Sequence, residues 1–123
     1  MATKPLIWII DNQQWPRAYL RAELIERGFE AVGYTDLASA VASLGHSPRF
    51  RLSALVLELR DQTVETRLLD VIMKTGIPVI LLVGLVEANE PVVKQYDWAA
   101  VMKRPTSIGA IADKVQELVP QYR

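Results

Sequence analysis

Leu6-Ile7-Trp8-Ile9-Ile10-Asp11-Asn12 is an unbroken apolar run that stops on an acid and an amide. The run is too short for a helix of its own, and its branched and aromatic side chains favour a strand. A half-exposed strand would alternate, so the continuity predicts a strand covered on both faces, as parallel strands are. Residues 54–59 (ALVLEL) and 79–83 (VILLV) read the same way, with weaker strand signals at 31–34 and 99–102.

The segments between these runs carry helical spacing and helical punctuation. Pro16 suits a first turn, with Leu20, Leu24 and Ile25 on one face after it. Gly28 then supplies a left-handed stop that folds Phe29 back on Leu24. Thr35 or Asp36 caps a second helix carrying Leu37, Val41 and Leu44 as far as Gly45. Thr63 caps a third, with Val64, Leu68, Val71 and Ile72 inward, and Gly76 and Pro78 close it. Asn89 and Pro91 open a short fourth helix through Tyr96. Thr106 or Ser107 opens a fifth, with Ile108, Ile111, Val115 and Leu118 in phase. Strands alternating with helices predict a parallel sheet with right-handed crossovers and helices on both faces.

A chain of 123 residues, half of them apolar, fits one domain with one core, so residues 1–123 are read as a single unit. Lysine and arginine balance aspartate and glutamate at 14 each. The missing positive excess argues against direct nucleic-acid binding and against an anionic membrane surface. With no cysteine, disulfides and thiolate chemistry are excluded. No run has the length of a membrane span or a signal peptide, and a cytoplasmic location is the expectation.

In an open α/β sheet, ligands bind beyond the carboxyl ends of the strands. That edge collects Asp11 and Asn12, then Glu58, Arg60 and Asp61, then Val83 and Gly84, then Lys103, Arg104 and Pro105. In this order, the residues resemble the receiver domains of two-component response regulators, over essentially the whole chain. Asp11-Asn12 resembles the acidic pair after the first strand, and Gly28-Phe29 the glycine-aromatic helix end. Glu58 falls at the phosphoacceptor aspartate, Val83 at the hydroxyl position, and Arg104-Pro105 at the lysine-proline pair. The resemblance implies a flavodoxin-like (βα)5 fold with a five-stranded parallel sheet, and a signalling role without enzyme activity of its own.

The same alignment implies that the phosphorylation chemistry is degraded. In the family, magnesium on the acidic pair neutralises charge while a phosphoryl group moves from a histidine kinase to the aspartate. Here Asn12 is a neutral ligand, Glu58 is one methylene too long, and Val83 has no hydroxyl to offer a phosphoryl oxygen. The switch aromatic of the fifth strand is replaced in the region of Val101 and Met102. The expectation is a module that is not phosphorylated, has no cofactor beyond weak Mg2+ binding at Asp11, and acts through protein contact. Glu58 is then either a constitutive stand-in for phosphoaspartate or a remnant paired with Lys103 or Arg104.

The partner implied is a histidine kinase, another signalling protein or a second copy of the chain. A homodimer is expected through Val92, Tyr96 and Trp98, because aromatic anchors typify binding hot spots. Two alternatives stand beside this reading. One is a phosphorylatable receiver using Glu58 or Asp61 in a phosphorelay. The other is a flavodoxin-like small-ligand domain, which lacks a glycine-rich phosphate loop after the first strand. His46, the single histidine, sits in a polar loop and is expected to be exposed and not catalytic, and Trp15 either covers the pocket or staples the first helix.

Overall fold

Five strands, β1 (Leu6–Ile10), β2 (Glu30–Tyr34), β3 (Leu52–Glu58), β4 (Val79–Val83) and β5 (Ala100–Lys103), form one sheet in the order β2-β1-β3-β4-β5. All four pairings are parallel. The computed structural model describes residues 4–45, 52–62 and 64–120, so His46 and the expected cap Thr63 lie outside the described residues. Between the strands run α1 (Gln14–Glu26), α2 (Leu37–Leu44), α3 (Thr66–Lys74), α4 (Pro91–Gln95) and α5 (Ile108–Leu118). A short 3-10 turn, Glu87–Asn89, precedes α4.

The sheet separates two apolar layers, as alternation along buried strands requires. Ile7, Ile9, Val56, Ile80 and Leu82 face Leu20, Leu24, Ile111 and Val115 of α1 and α5. Trp8, Ile10, Leu57, Leu81 and Val83 face Leu37, Ala40, Leu69 and Ile72 of α2 and α3. Central strands buried on both faces explain why β1, β3 and β4 read as continuous runs.

The punctuation acts largely as its chemistry dictates. Gly28 takes φ 97°, and the Phe29 N–H returns to the Leu24 carbonyl at 3.0 Å, closing α1. Ser107 caps α5 by accepting from the Ala110 N–H at 3.0 Å. Two inward assignments are corrected. Ile25 and Val71 are 42 % and 41 % exposed, while Leu69 and Ile72 are the buried residues of α3. α3 starts at Thr66 with Glu65 before it, which rotates Leu69 toward the sheet and Val71 away.

Asp36 caps α2, its Oδ1 accepting from the Ser39 N–H at 2.7 Å. Hydrogen bonds from Ser39 hold its carboxyl below the ordinary aspartate range. A depressed folded pKa stabilises above the unfolded value of about 3.9, and that contribution is lost as pH falls through the folded pKa. Asp36→Ala is expected to cost about 1 kcal/mol at neutral pH in urea unfolding. The difference from wild type should begin to shrink as pH falls below about 4 and be lost beneath the lowered folded pKa, where both lack the charged cap; an acid-independent difference would contradict this.

Candidate functional site

Glu58 ends β3 and Asp11 follows β1, at the carboxyl edge where an open sheet places its ligands. Both acids are nearly fully buried, at 3 % and 5 % exposure. Buried carboxylates are costly unless paired, and both are paired with arginine. The Arg104 guanidinium, just beyond β5, donates from Nη1 to Glu58 Oε2. Its Nη2 donates to Glu87 Oε1 at 3.0 Å. A Cβ at Gly84 would stand 2.7 Å from that Nη2 and 2.9 Å from Glu87 Oε2, so the bare backbone there lets the pair close over it. One guanidinium thus joins β3, β5 and the turn after β4.

Arg60 forms the second link. Its Nη2 lies 3.3 and 3.4 Å from the two carboxylate oxygens of Asp11, and its Nη1 is 3.9 Å from Glu58 Oε1. The turn that carries Arg60 is fixed on several sides. The Arg60 N–H donates to Glu58 Oε2 at 3.1 Å, and Gln62 Nε2 donates to the Glu58 carbonyl at 2.5 Å. Asp61 adopts φ 53°, and its carbonyl accepts from Asn12 Nδ2 at 3.0 Å. On the β1 side, the Asp11 carboxylate accepts from the Gln13 N–H at 2.9 Å. Arg17 crosses Gly33 and donates to the Asp11 carbonyl at 2.7 Å.

The ion pairs show in the proton affinities. Burial works against the Arg104 charge, yet Glu58 first and Glu87 second outweigh it and raise its pKa further above the ordinary arginine value. Glu87 is held below the usual carboxylate range by its own backbone N–H, with Arg104 adding to the effect. A cavity of about 200 Å³ opens beside the cluster, walled by Pro16, Leu20, Ile108 and Ile111.

The edge therefore brings together Asp11, Glu58 and Arg104, and leaves out other expected members. Val83 is fully buried among Leu57 and Leu81 on the opposite face, because Glu58 pairs in register with Leu82. Its part at the edge is its carbonyl, which accepts from the Arg104 N–H at 2.7 Å. Lys103 is exposed, so of the two cations offered to Glu58 it is Arg104 that binds. Asn12 is exposed and committed to Asp61, and Asp61 is exposed on the turn. Trp15 is 63 % exposed and stacked on Tyr19 at 6.1 Å, so it does not cover the pocket. Arg60, Arg17 and Glu87 were not assigned roles from sequence. Arg60 had a signal, since two residues after Glu58 is the same side of an extended chain.

A divalent ion fits these residues poorly. Magnesium requires near-octahedral oxygen ligation, and the space between Asp11 and Glu58 holds the Arg60 guanidinium instead. Among the described residues, no group of three or more acidic or histidine side chains is placed to hold a metal. Hydrogen bonds from Arg104 and the Arg60 N–H both fall on Oε2 of Glu58.

The expected interface residues are largely turned to the core. Val92, Tyr96 and Trp98 are each half-buried against the α2–α3 layer. The Tyr96 hydroxyl donates to Asp70 Oδ1 at 2.9 Å, and Trp98 Nε1 donates to the Val93 carbonyl at 3.1 Å. Burial, then the Asp70 bond, raises the Tyr96 pKa.

No family model and no curated protein matches the sequence. Solved structures match along nearly its whole length. A response regulator receiver protein from Pseudomonas putida superposes with a TM-score of 0.78 at 22 % identity, covering 95 % of this chain and 99 % of its own. Chemotaxis protein CheY4 from Vibrio cholerae gives 0.74 at 14 % identity, covering 95 % and 100 %. The signal receiver domain of a putative Luxo repressor protein from Vibrio parahaemolyticus gives 0.75 at 12 % identity, covering 94 % and 89 %. At these identities the likeness speaks for architecture. The chain has the (βα)5 fold of a response-regulator receiver domain.

Proposed function

We propose that this chain is a receiver-fold signalling module that works by protein contact without aspartyl-phosphate chemistry and without enzymatic activity of its own. The observation that carries this reading is the bridge Glu58–Arg104–Glu87. The carboxylate at the acceptor position is already bound, and the cation that binds it also holds the turn after β4. A side chain makes that linkage here without modification. Glutamate supplies one negative charge, where a phosphoryl group supplies up to two and three acceptor oxygens. The partner is a second signalling protein or a second copy of the chain.

Exposure to acetyl phosphate or phosphoramidate with magnesium, followed by intact mass, tests the proposal. No stable phosphoryl adduct is expected. An adduct abolished by Glu58→Gln or by Asp61→Asn would replace this reading with an active phosphorelay receiver.

A further inference from the structure

We infer that the guanidinium of Arg60 is a tethered counter-ion, standing where a divalent cation would otherwise neutralise Asp11 and Glu58. The inference rests on reading this edge as a receiver-type site, and it follows from a charge count. Three carboxylates meet here, Asp11, Glu58 and Glu87, against the guanidiniums of Arg60 and Arg104. Arg104 is shared between Glu58 and Glu87, and it is Arg60 that lies against both oxygens of Asp11. An acid 5 % exposed needs such a partner, since an isolated buried carboxylate gives up its charge instead.

The placement of Arg60 has the marks of a fixed fitting. Leu59 is buried in the opposite layer, which anchors the chain between the two ionic residues and keeps Glu58 and Arg60 on one side. Bonds to both the backbone and the side chain of Glu58 hold the turn. The Arg60 Nε is buried with no hydrogen-bond partner, a sacrifice that the ionic contacts at its Nη atoms offset. Unlike a bound ion, this charge cannot dissociate, and guanidinium stays protonated throughout the physiological range.

Thermal unfolding with and without millimolar magnesium, at matched ionic strength, tests this inference independently of phosphorylation, which is read by mass. The wild-type midpoint is expected not to move, and Arg60→Lys, which keeps the charge, should behave likewise. Arg60→Asn leaves two buried acids short of one cation and opens their oxygens. It should unfold at lower temperature in metal-free buffer and recover by about 4 °C with magnesium, the shift for an ion at about five times its dissociation constant in a small domain. A magnesium-dependent rise in the wild type, or an Arg60→Asn protein indifferent to magnesium, would overturn the inference. If Arg60→Asn does not fold without metal, its refolding yield reads the same quantity: recovery with magnesium supports the tethered ion, and failure in both buffers refutes it.

Discussion

Replacing Arg104 by Met is expected to cost about 3 kcal/mol of folding stability, read as a lower urea midpoint with an unchanged slope. The physical cause is what the substitution leaves behind. Glu58 has 4 % of its side chain exposed and would lose the guanidinium bound to Oε2. Removing one partner of a buried pair typically costs about 3–5 kcal/mol, and the lower end applies because Arg104 is itself 24 % exposed. Glu87, with 17 % of its side chain exposed, has only to turn toward solvent. A second substitution isolates the charge effect from lost packing. In Arg104→Met with Glu58→Leu, neither charge is buried, and most of the loss should return, since apolar replacements of buried pairs are often neutral. A single-variant loss below about 1 kcal/mol would place the pair among surface salt bridges and remove the observation on which the proposed function stands.

The sheet was legible because its signals are local. The runs at β1 and β4 match the observed strands end for end, since five-residue apolar runs bounded by Pro5 and Asp11, and by Pro78 and Gly84, leave a strand little room to shift. β3 begins earlier than the apolar run suggests, because parallel pairing with β1 extends it to Leu52 beyond what composition marks. β5 gains Lys103, an edge residue whose exposed side chain hides its place in the ladder. The helix phases were less legible. Val71 and Ile25 are apolar and correctly spaced, yet they point outward because the starting residue of a helix, which spacing alone does not fix, sets which of several apolar stripes meets the sheet.

The site divides along the same line. Asp11, Glu58 and Arg104 follow from the rule that ligands lie at the strand ends, because their strands were placed correctly. Of the ion pairs, Glu58 with Arg104 was among the expectations; Arg60 with Asp11 and Arg104 with Glu87 were not legible, since they join segments that no sequence spacing connects. Val83 shows the limit most clearly. Its position at the end of β4 was right, but one residue of register places it on the opposite face from Glu58.

Trp98→Ala is expected to destabilise the chain by about 3 kcal/mol and to leave its association state unchanged. The indole packs on the α2–α3 layer, tilts against Tyr96 at 5.7 Å, and ties its Nε1 to the Val93 carbonyl. Truncation would open a cavity, remove a contact that ties α4 to the layer, and leave that carbonyl without its indole donor. Half-burial keeps the cost near the lower end of the range for a buried tryptophan. Tyr96→Phe should cost only about 1 kcal/mol, the worth of the hydroxyl bond to Asp70. These magnitudes bear directly on the homodimer expected from the aromatic cluster. If Trp98 were the centre of a dimer interface, its truncation would weaken association in sedimentation equilibrium and spare monomer stability. Packing against the layer below predicts the reverse: a lower unfolding midpoint at every protein concentration, with the same mass in solution as wild type. Any self-association would then have to use other surface, of which the β5 edge with Val101, 41 % exposed, is the neighbouring apolar stretch. A Trp98→Ala protein of wild-type stability that falls from dimer to monomer would restore the aromatic cluster as the interface.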